Sequence, residues 1–302
     1  MGRRGSRGQR VHELMVSKVT TYAVPSERKP PWIRVRHPRC AQTREVWRLL
    51  QELELNTVCQ HAACPNVAEC FERGTATFML LGSVCTRRCR FCNVTQALPQ
   101  SLDPTEGERI AEAAGRMKLR YLVLTSVTRD DLPDGGASHW AAVICTIRAR
   151  LTELAVEALI PDLGDLRDVL AAGPRVLAHN IETVPRLYPM VRPQADYHRS
   201  LDVLARAKRV RPDVVTKSAI LVGLGETEGE VLAALADLRQ VGCDRVVLGQ
   251  YLRPTREHLP VVEFVTPEQF DRFAEQARQM GFSSVLAAPL ARSSYHAAEA
   301  GS

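Results

Sequence analysis

From residue 77 onward the chain alternates short apolar runs with longer helix-like stretches, and this rhythm limits the possible folds more than any other feature. The runs are TFMLLGSV, RYLVLTSV, VEALIPDL, RVLAHN, TKSAILVGL and RVVLGQY. Between them lie stretches such as PTEGERIAEAAGRMK, GASHWAAVICTIRARL, YHRSLDVLARAKRV and ETEGEVLAALADLRQV. Most runs are apolar at consecutive positions, which is how a strand reads when helices cover both faces of a parallel sheet. Six such units with no Gly-x-Gly-x-x-Gly turn after the first strand predict an α/β fold, a partial (β/α)6 TIM-type barrel with N-terminal and C-terminal extensions. A doubly wound sheet is the competing arrangement.

In a barrel the chemistry sits at the carboxyl ends of the strands, so SVCTRRC, TSVTRDD, HNIET and GLGET are expected to converge on one mouth. Four segments are expected: a basic, disordered tail over 1–30, an N-terminal extension over 31–74, the barrel over 75–282 and a C-terminal segment over 283–302. A Pro-rich connector (VPSERKPPWIRVRHP) leads from the tail into the extension, which holds an amphipathic stretch (REVWRLLQELEL). No run approaches the roughly 18–20 apolar residues of a membrane span, and the first thirty residues lack the apolar segment of a secretory signal. The expected location is cytoplasmic; the basic start MGRRGSRGQR leaves an organellar targeting segment as the alternative. The formal net charge of +6 is spread over the tail and isolated arginines. It is weak evidence for nucleic acid and fits an acidic protein partner equally well; the partners expected are proteins, with no nucleic acid and no membrane.

Six of the nine cysteines fall within residues 59–92, and in a reducing compartment that favours metal ligation over disulfides. Cys40, Cys145 and Cys243 are scattered and read as inert thiols. Cys85, Cys89 and Cys92 stand in C-x3-C-x2-C spacing on the loop after the first strand. A structural zinc needs four ligands, and the nearest extra donor is His61, which belongs to the other triple. Three thiolates on a cubane iron–sulfur cluster instead leave one iron open to chelate a small molecule. The upstream triple Cys59, Cys64 and Cys70 has C-x4-C-x5-C spacing.

The loop CTRRCRFCNV after the first barrel strand resembles the radical S-adenosylmethionine (SAM) superfamily. That resemblance implies that the amino and carboxylate groups of SAM complete the first [4Fe–4S] cluster, whose reduction releases a 5′-deoxyadenosyl radical. With CPNVAECF, GTATFMLLG, DDLPDGG, HNIETVPRLYP, TKSAILVGLGET, GQYLRPTREHLP and RSSYHA, the chain from about residue 30 to its end resembles the lipoyl synthase family. The resemblance implies an auxiliary [4Fe–4S] cluster on Cys59, Cys64 and Cys70, with a serine of RSSY as fourth ligand. We assign Ser294, with Ser293 as runner-up. A hydroxylate oxygen is harder than thiolate and lets go readily, which suits a cluster consumed as sulfur donor. For both clusters to face one substrate, FERGTA must descend beside the barrel and the first triple must fold over its rim; Gly74 eases that reversal.

HNIET is similar to the HN-x-[DE]-T stretch of the sister family biotin synthase, so Asn180 and Glu182 are candidates for the SAM ribose; a capped strand-to-helix turn is the plain alternative. Thr125 and Ser126 are candidates for the SAM amino or carboxylate end, whereas Gly135 and Gly136 read as a turn. GLGE at 223–226 either lets backbone approach adenine or is an ordinary turn. Lys217 reads as an exposed edge charge, with a functional role as the alternative. Arg292 either anchors the tail over the auxiliary cluster or makes a surface ion pair. His179, His258 and His296 read as structural.

The resemblance implies sulfur insertion at C6 and C8 of an octanoyl chain on a lysine of a lipoyl carrier domain, either a 2-oxoacid dehydrogenase E2 or a glycine cleavage H protein. The carrier is expected at the mouth beside basic residues around Arg87 and Arg88, and a ferredoxin or flavodoxin type reductant is implied. The alternatives are another two-cluster radical SAM enzyme, an iron–sulfur carrier without catalysis, and a zinc-stapled nucleic-acid-binding protein. The chain departs from the family's usual pattern around LIPD, where the third connection looks shortened, and at VTRDD, LAHN, Ala219, Ala287 and Ala288.

Overall fold

The computed structural model describes residues 28–34, 41–61, 64, 66–72, 77–295 and 297. Cys40, Gly74, His296 and most of the basic tail lie outside the described residues. The six expected runs supply six strands of one parallel sheet: β1 (Thr77–Leu80), β2 (Tyr121–Ser126), β3 (Ala155–Leu159), β4 (Val176–Ala178), β5 (Val215–Val222) and β6 (Arg245–Gln250). A seventh, β7 (Ser284–Ala288), adds itself to β6 with Gly249 opposite Ala288. It comes from the segment read from sequence as a C-terminal extension.

The strands lie side by side in chain order, β1 to β7, every neighbouring pair parallel. A doubly wound sheet reverses its order at a switch point, and this order never reverses, so the arrangement is the open barrel. The edge of β1 is covered by the N-terminal extension: Thr57 forms an antiparallel bridge to Phe78, and Met79 N donates to Asn56 O at 2.8 Å. That contact hides an edge that would otherwise offer unpaired backbone groups. It also holds Cys59 beside the first strand.

Helices follow the strands where the sequence supplies start signals. Thr227 and Glu230 form a reciprocal capping box, and the side chains of Asp196 and Thr266 each accept from the amide three residues on. The helix Glu106–Arg116 buries Ile110, Ala111, Ala113 and Ala114, and Gly107 lets it come close to Val143 and Thr146 of the helix Ala137–Arg150. Trp140, Phe78, Leu122, Leu124 and Ile144 are almost completely buried in that half of the core.

The shortened third connection is packed. Its helix, Arg167–Ala171, buries Val169 and Leu170. Carbonyls along this stretch are met by arginines from neighbouring helices: Arg148 on Ala172, Arg206 on Leu163 and Gly164, and Arg211 on Leu170 and Pro174. Long cationic side chains thus supply donors to carbonyls of this connection.

Lys217 is not an edge charge. It is 2% exposed, and its Nζ donates to Glu157 Oε1 at 2.8 Å, while Tyr121 donates to Glu157 Oε2 at 2.7 Å. Three strands contribute to this buried cluster, and a lysine there needs its carboxylate.

Candidate functional site

β1 ends in two left-handed residues, Leu81 at φ 68° and Gly82 at φ 92°, which turn the chain into the cysteine loop. The loop is closed at its base by Val84 and Cys85 pairing with Thr95 and Gln96. Arg87 fixes its middle: Nε and Nη2 reach Asp130 at 2.9 and 2.8 Å, and Nη1 pairs with Asp162. Backbone contacts hold the rest, with Thr86 N on Thr128 O at 3.1 Å, Arg90 N on Val191 O at 2.9 Å and His258 Nε2 within 3.1 Å of Cys92 O. Arg87, expected to face a carrier, is therefore a buried clamp within the protein, because two carboxylates at the ends of neighbouring strands claim it. Arg88 is exposed.

Within this loop the three thiols are mutual neighbours. Burial pushes Cys92 up to about 12, and the adjacent Cys89 and Cys85 add to the rise. Burial also raises Cys89, against which Arg192 pulls. Arg192 Nη1 donates to Asn180 O at 3.1 Å and Tyr188 Oη at 3.0 Å. Among the described residues no three His, Cys, Asp or Glu side chains converge on a single metal ion. A cubane spreads its thiolates over separate irons, which three neighbouring thiols can serve, and an adjacent guanidinium favours the thiolate form.

The second triple is built the same way. Cys59 lies on the short helix Val58–His61, Cys70 on the helix Val67–Glu72, and Cys64 between them, its amide on Cys59 O at 3.4 Å. Burial raises Cys59 to about 12, and Cys64 and Cys70 contribute as close neighbours. The two triples meet: Asn93, next to Cys92, donates to His61 O at 3.0 Å.

The chain's end completes this cluster of segments. Past β7 it crosses the mouth, where Asn66 Nδ2 donates to Leu290 O at 2.7 Å and Tyr295 Oη donates to Glu69 at 3.0 Å. Ser293 is buried and donates to Asn180 Oδ1 at 3.1 Å. Burial lowers the pKa of Arg292, while the charges of Cys64 and Glu182 pull it back, so this guanidinium lies within electrostatic reach of both. Gly249 makes room, since a methyl group there would run into Ala291 O.

Asn180 and Glu182 meet at the carboxyl end of β4, with Asn180 Nδ2 donating to Glu182 Oε1 at 3.0 Å. Glu182 is left-handed at φ 65°, yet its backbone is bonded to β5 through Ala219 O and Leu221 N. Such a conformation costs about 1–3 kcal/mol in a residue with a side chain and persists where surrounding bonds over-determine it. Burial raises its carboxyl, and Arg192, Asn180, His179 and Arg292 oppose the rise. Thr125 and Ser126 end β2, but their hydroxyls already have protein partners: Thr125 donates to Leu159 O at 3.1 Å, and Ser126 accepts from Trp140 Nε1 at 3.2 Å. Gly223 is required by packing, because a methyl group would strike the Gln250 amide and Glu263 O.

Sequence reasoning passed over Asn66, Glu69, Asn93, Gly249 and Tyr295. All five lie inside the quoted stretches CPNVAECF, CTRRCRFCNV, GQYLRPTREHLP and RSSYHA, and Asn66 and Glu69 share the first. Reading each polar residue within two positions of a cysteine as a possible tie would have found Asn66, Glu69 and Asn93; Gly249 and Tyr295 carry no such signal.

Residues 79–238 match the family model described as Radical SAM superfamily. The chain is 56% identical to lipoyl synthase from Methylococcus capsulatus over 89% of its own length and 85% of that protein. It is 53% identical to lipoyl synthase from Caldanaerobacter subterraneus over 89% of its own length and 96% of that protein. The solved methylornithine synthase (PylB) is alike in fold, with a TM-score of 0.51, 15% identity and 81% of each chain covered. With two cysteine triples at the mouth of an open parallel barrel and half its residues shared with these relatives, the chain belongs to the lipoyl synthase family of the radical SAM superfamily.

Proposed function

We propose that this chain converts an octanoyl group, carried as an amide on a lysine of a lipoyl carrier domain, into a lipoyl group by inserting sulfur at C6 and C8. Cys85, Cys89 and Cys92 hold a [4Fe–4S] cluster with one iron left for SAM, and Cys59, Cys64, Cys70 and Ser294 hold the auxiliary [4Fe–4S] cluster. When bound, the first group supplies the radical that abstracts hydrogen from the chain and the second supplies the sulfur. The observation that carries this reading is the meeting of both triples and the RSSY tail in one mouth, joined by the Asn93–His61 and Asn66–Leu290 hydrogen bonds.

The protein's own residues orient and shield. Arg87 holds the first cysteine loop against the ends of β2 and β3, and His258 steadies the Cys92 carbonyl. Asn180 and Glu182 present an amide and a carboxylate to the ribose of SAM, an arrangement suited to two neighbouring hydroxyls. Thr125 and Ser126 flank its amino acid end with the lone pairs left to their oxygens. Engagement of the Ser293 hydroxyl with Asn180 supports Ser294 as the auxiliary ligand.

The carrier is an octanoylated E2 or H protein with an acidic surface, met by exposed cations such as Arg88 and Arg90, and a ferredoxin or flavodoxin type protein supplies electrons. Among the described residues no helix is long and apolar enough to cross a membrane, and we assign the activity to the cytoplasm. The division into tail 1–30, auxiliary-cluster extension 31–74, barrel 75–282 and serine-bearing segment 283–302 belongs to the same reading, with β7 tying the last to the barrel.

Anaerobic incubation of the iron-loaded protein with an octanoyl-lysyl peptide, SAM and dithionite tests the proposal. Mass spectrometry should find a gain of two sulfurs as the dithiol, and loss of two hydrogens once the quenched product is oxidised to the dithiolane, with two SAM cleaved per product. SAM cleavage with no sulfur in the peptide contradicts it.

A further inference from the structure

We infer that Glu69 and Tyr295 form a latch that positions Ser294 at the auxiliary cluster, with Asn66 as its second point; this rests on the assignment of Ser294 as the cluster's fourth ligand. The two latch residues bracket that cluster in sequence. Glu69 immediately precedes Cys70, and Tyr295 immediately follows Ser294. Tyr295 Oη lies 3.0 Å from both carboxylate oxygens of Glu69, so the phenol donates to a charged acceptor. Such bonds are stronger than neutral ones.

No ladder of strand pairing holds the tail past β7, which runs through turns and is held by individual bonds. Asn66, 5% exposed, takes the Leu290 carbonyl at 2.7 Å, and Tyr295 takes Glu69, so the tail is tied at both ends of Leu290–Tyr295 to the single segment Asn66–Cys70. Between those ties Tyr295 N donates to Arg292 O at 2.9 Å, closing a turn with Ser293 and Ser294 at its two corners. Asn180 fastens the first corner. Ser294, the second corner, directly precedes Tyr295, so the Tyr295–Glu69 bond fixes the backbone next to it beside the segment that carries Cys70.

A serine oxygen is a poor match for iron in a cluster, so its occupancy depends on how far the tether raises its local concentration. One charge-assisted hydrogen bond is strong enough to hold such a ligand in place and weak enough to be broken when it must leave. Glu69 and Tyr295 are positioning residues, acting through Ser294.

The test uses anaerobic holoenzyme loaded with Mössbauer-active iron, in wild type, Tyr295→Phe, Glu69→Ala, Glu69→Gln, the double variant Glu69→Ala/Tyr295→Phe, and Ser294→Ala. Tyr295→Phe and Glu69→Ala should lose iron from the auxiliary cluster to a chelator about tenfold faster than wild type, the order expected for one charge-assisted bond. They should also convert the spectrum of the oxygen-ligated iron toward that of Ser294→Ala, with 5′-deoxyadenosine formation within about twofold of wild type. Glu69→Gln keeps an acceptor oxygen and should restore most of the retention, and the double variant should be no worse than either single one. Wild-type iron retention and spectrum in Tyr295→Phe, alongside a changed Ser294→Ala, overturns the latch and leaves the ligand assignment standing. Wild-type behaviour in Ser294→Ala overturns the assignment itself, and the latch with it.

Discussion

Asn93 Nδ2 donates to the backbone carbonyl of His61 at 3.0 Å, and through this one bond the loop carrying Cys92 is joined to the helix carrying Cys59. The two residues lie on opposite sides of β1 in the sequence, so the strand rises between the cysteine triples while their ends are tied back together. The proposed function needs that juxtaposition, since both clusters must reach one substrate chain. Asn93→Ala removes a donor and leaves a carbonyl without it, a change of about 1 kcal/mol. It should lower sulfur insertion more than SAM cleavage, measured as lipoyl product against 5′-deoxyadenosine in the same reaction.

Arg87 is expected to be indispensable for folding of the first loop. Its side chain is 8% exposed, Asp162 is 1% exposed, and the two are in direct contact. Removing one member of a buried pair strands the other charge, at a cost of about 3–5 kcal/mol. Arg87→Ala should show that loss in denaturant unfolding, and Arg87→Lys should recover little of it because a lysine cannot fork between Asp130 and Asp162.

The same network sets an acid limit. Burial pushes the Asp162 carboxyl up, but His179, 3.2 Å away, and the ion pair with Arg87 outweigh it and hold the group well below the ordinary carboxylate range. Its folded pKa is depressed, so its contribution to stability is present above the unfolded value of about 3.9 and is lost as pH falls below that toward the folded value. Unfolding free energy measured from neutral pH downward should hold until about pH 4 and then fall; in Asp162→Asn the fall should be shallower, from a lower plateau.

The buried Lys217–Glu157 pair at 2.8 Å makes a separate prediction. Lys217→Met alone should destabilise by about 3–5 kcal/mol, whereas Lys217→Met with Glu157→Leu should recover much of the loss. Equal destabilisation by the single and double changes in chemical denaturation contradicts the pairing.

These residues also mark where the sequence was legible. Apolar runs such as TKSAILVGL and RVVLGQY announced strands because helices cover both faces, and strand order followed from the rhythm of the units. Lys217 was misread because period alone does not say whether a carboxylate two strands away will meet a cation. Arg87 looked like a docking residue because its partners, Asp130 and Asp162, are 43 and 75 residues distant. The strand β7 was hidden within SSVLAAPLARSSYHA, whose polar end drew attention from its apolar start. The cysteines were legible from spacing, and the ties that hold them were not, since each is a long-range contact with a backbone carbonyl or a lone side chain.

Glu182 should matter through SAM rather than through stability. Glu182→Gln keeps the shape and the Asn180 neighbour while removing the charge. Losing a hydrogen bond to a charged group costs about 1.5–3 kcal/mol, so SAM should bind roughly 10–150-fold more weakly by equilibrium titration. Unchanged SAM affinity contradicts the ribose assignment.

The most direct test follows the sulfur. The auxiliary cluster is rebuilt with heavy-isotope sulfide, excess sulfide is removed, and a single turnover is run with the octanoyl-lysyl peptide, SAM and dithionite. The account predicts that both sulfurs in the lipoyl product carry the label; product formed with light sulfur from solution would contradict it.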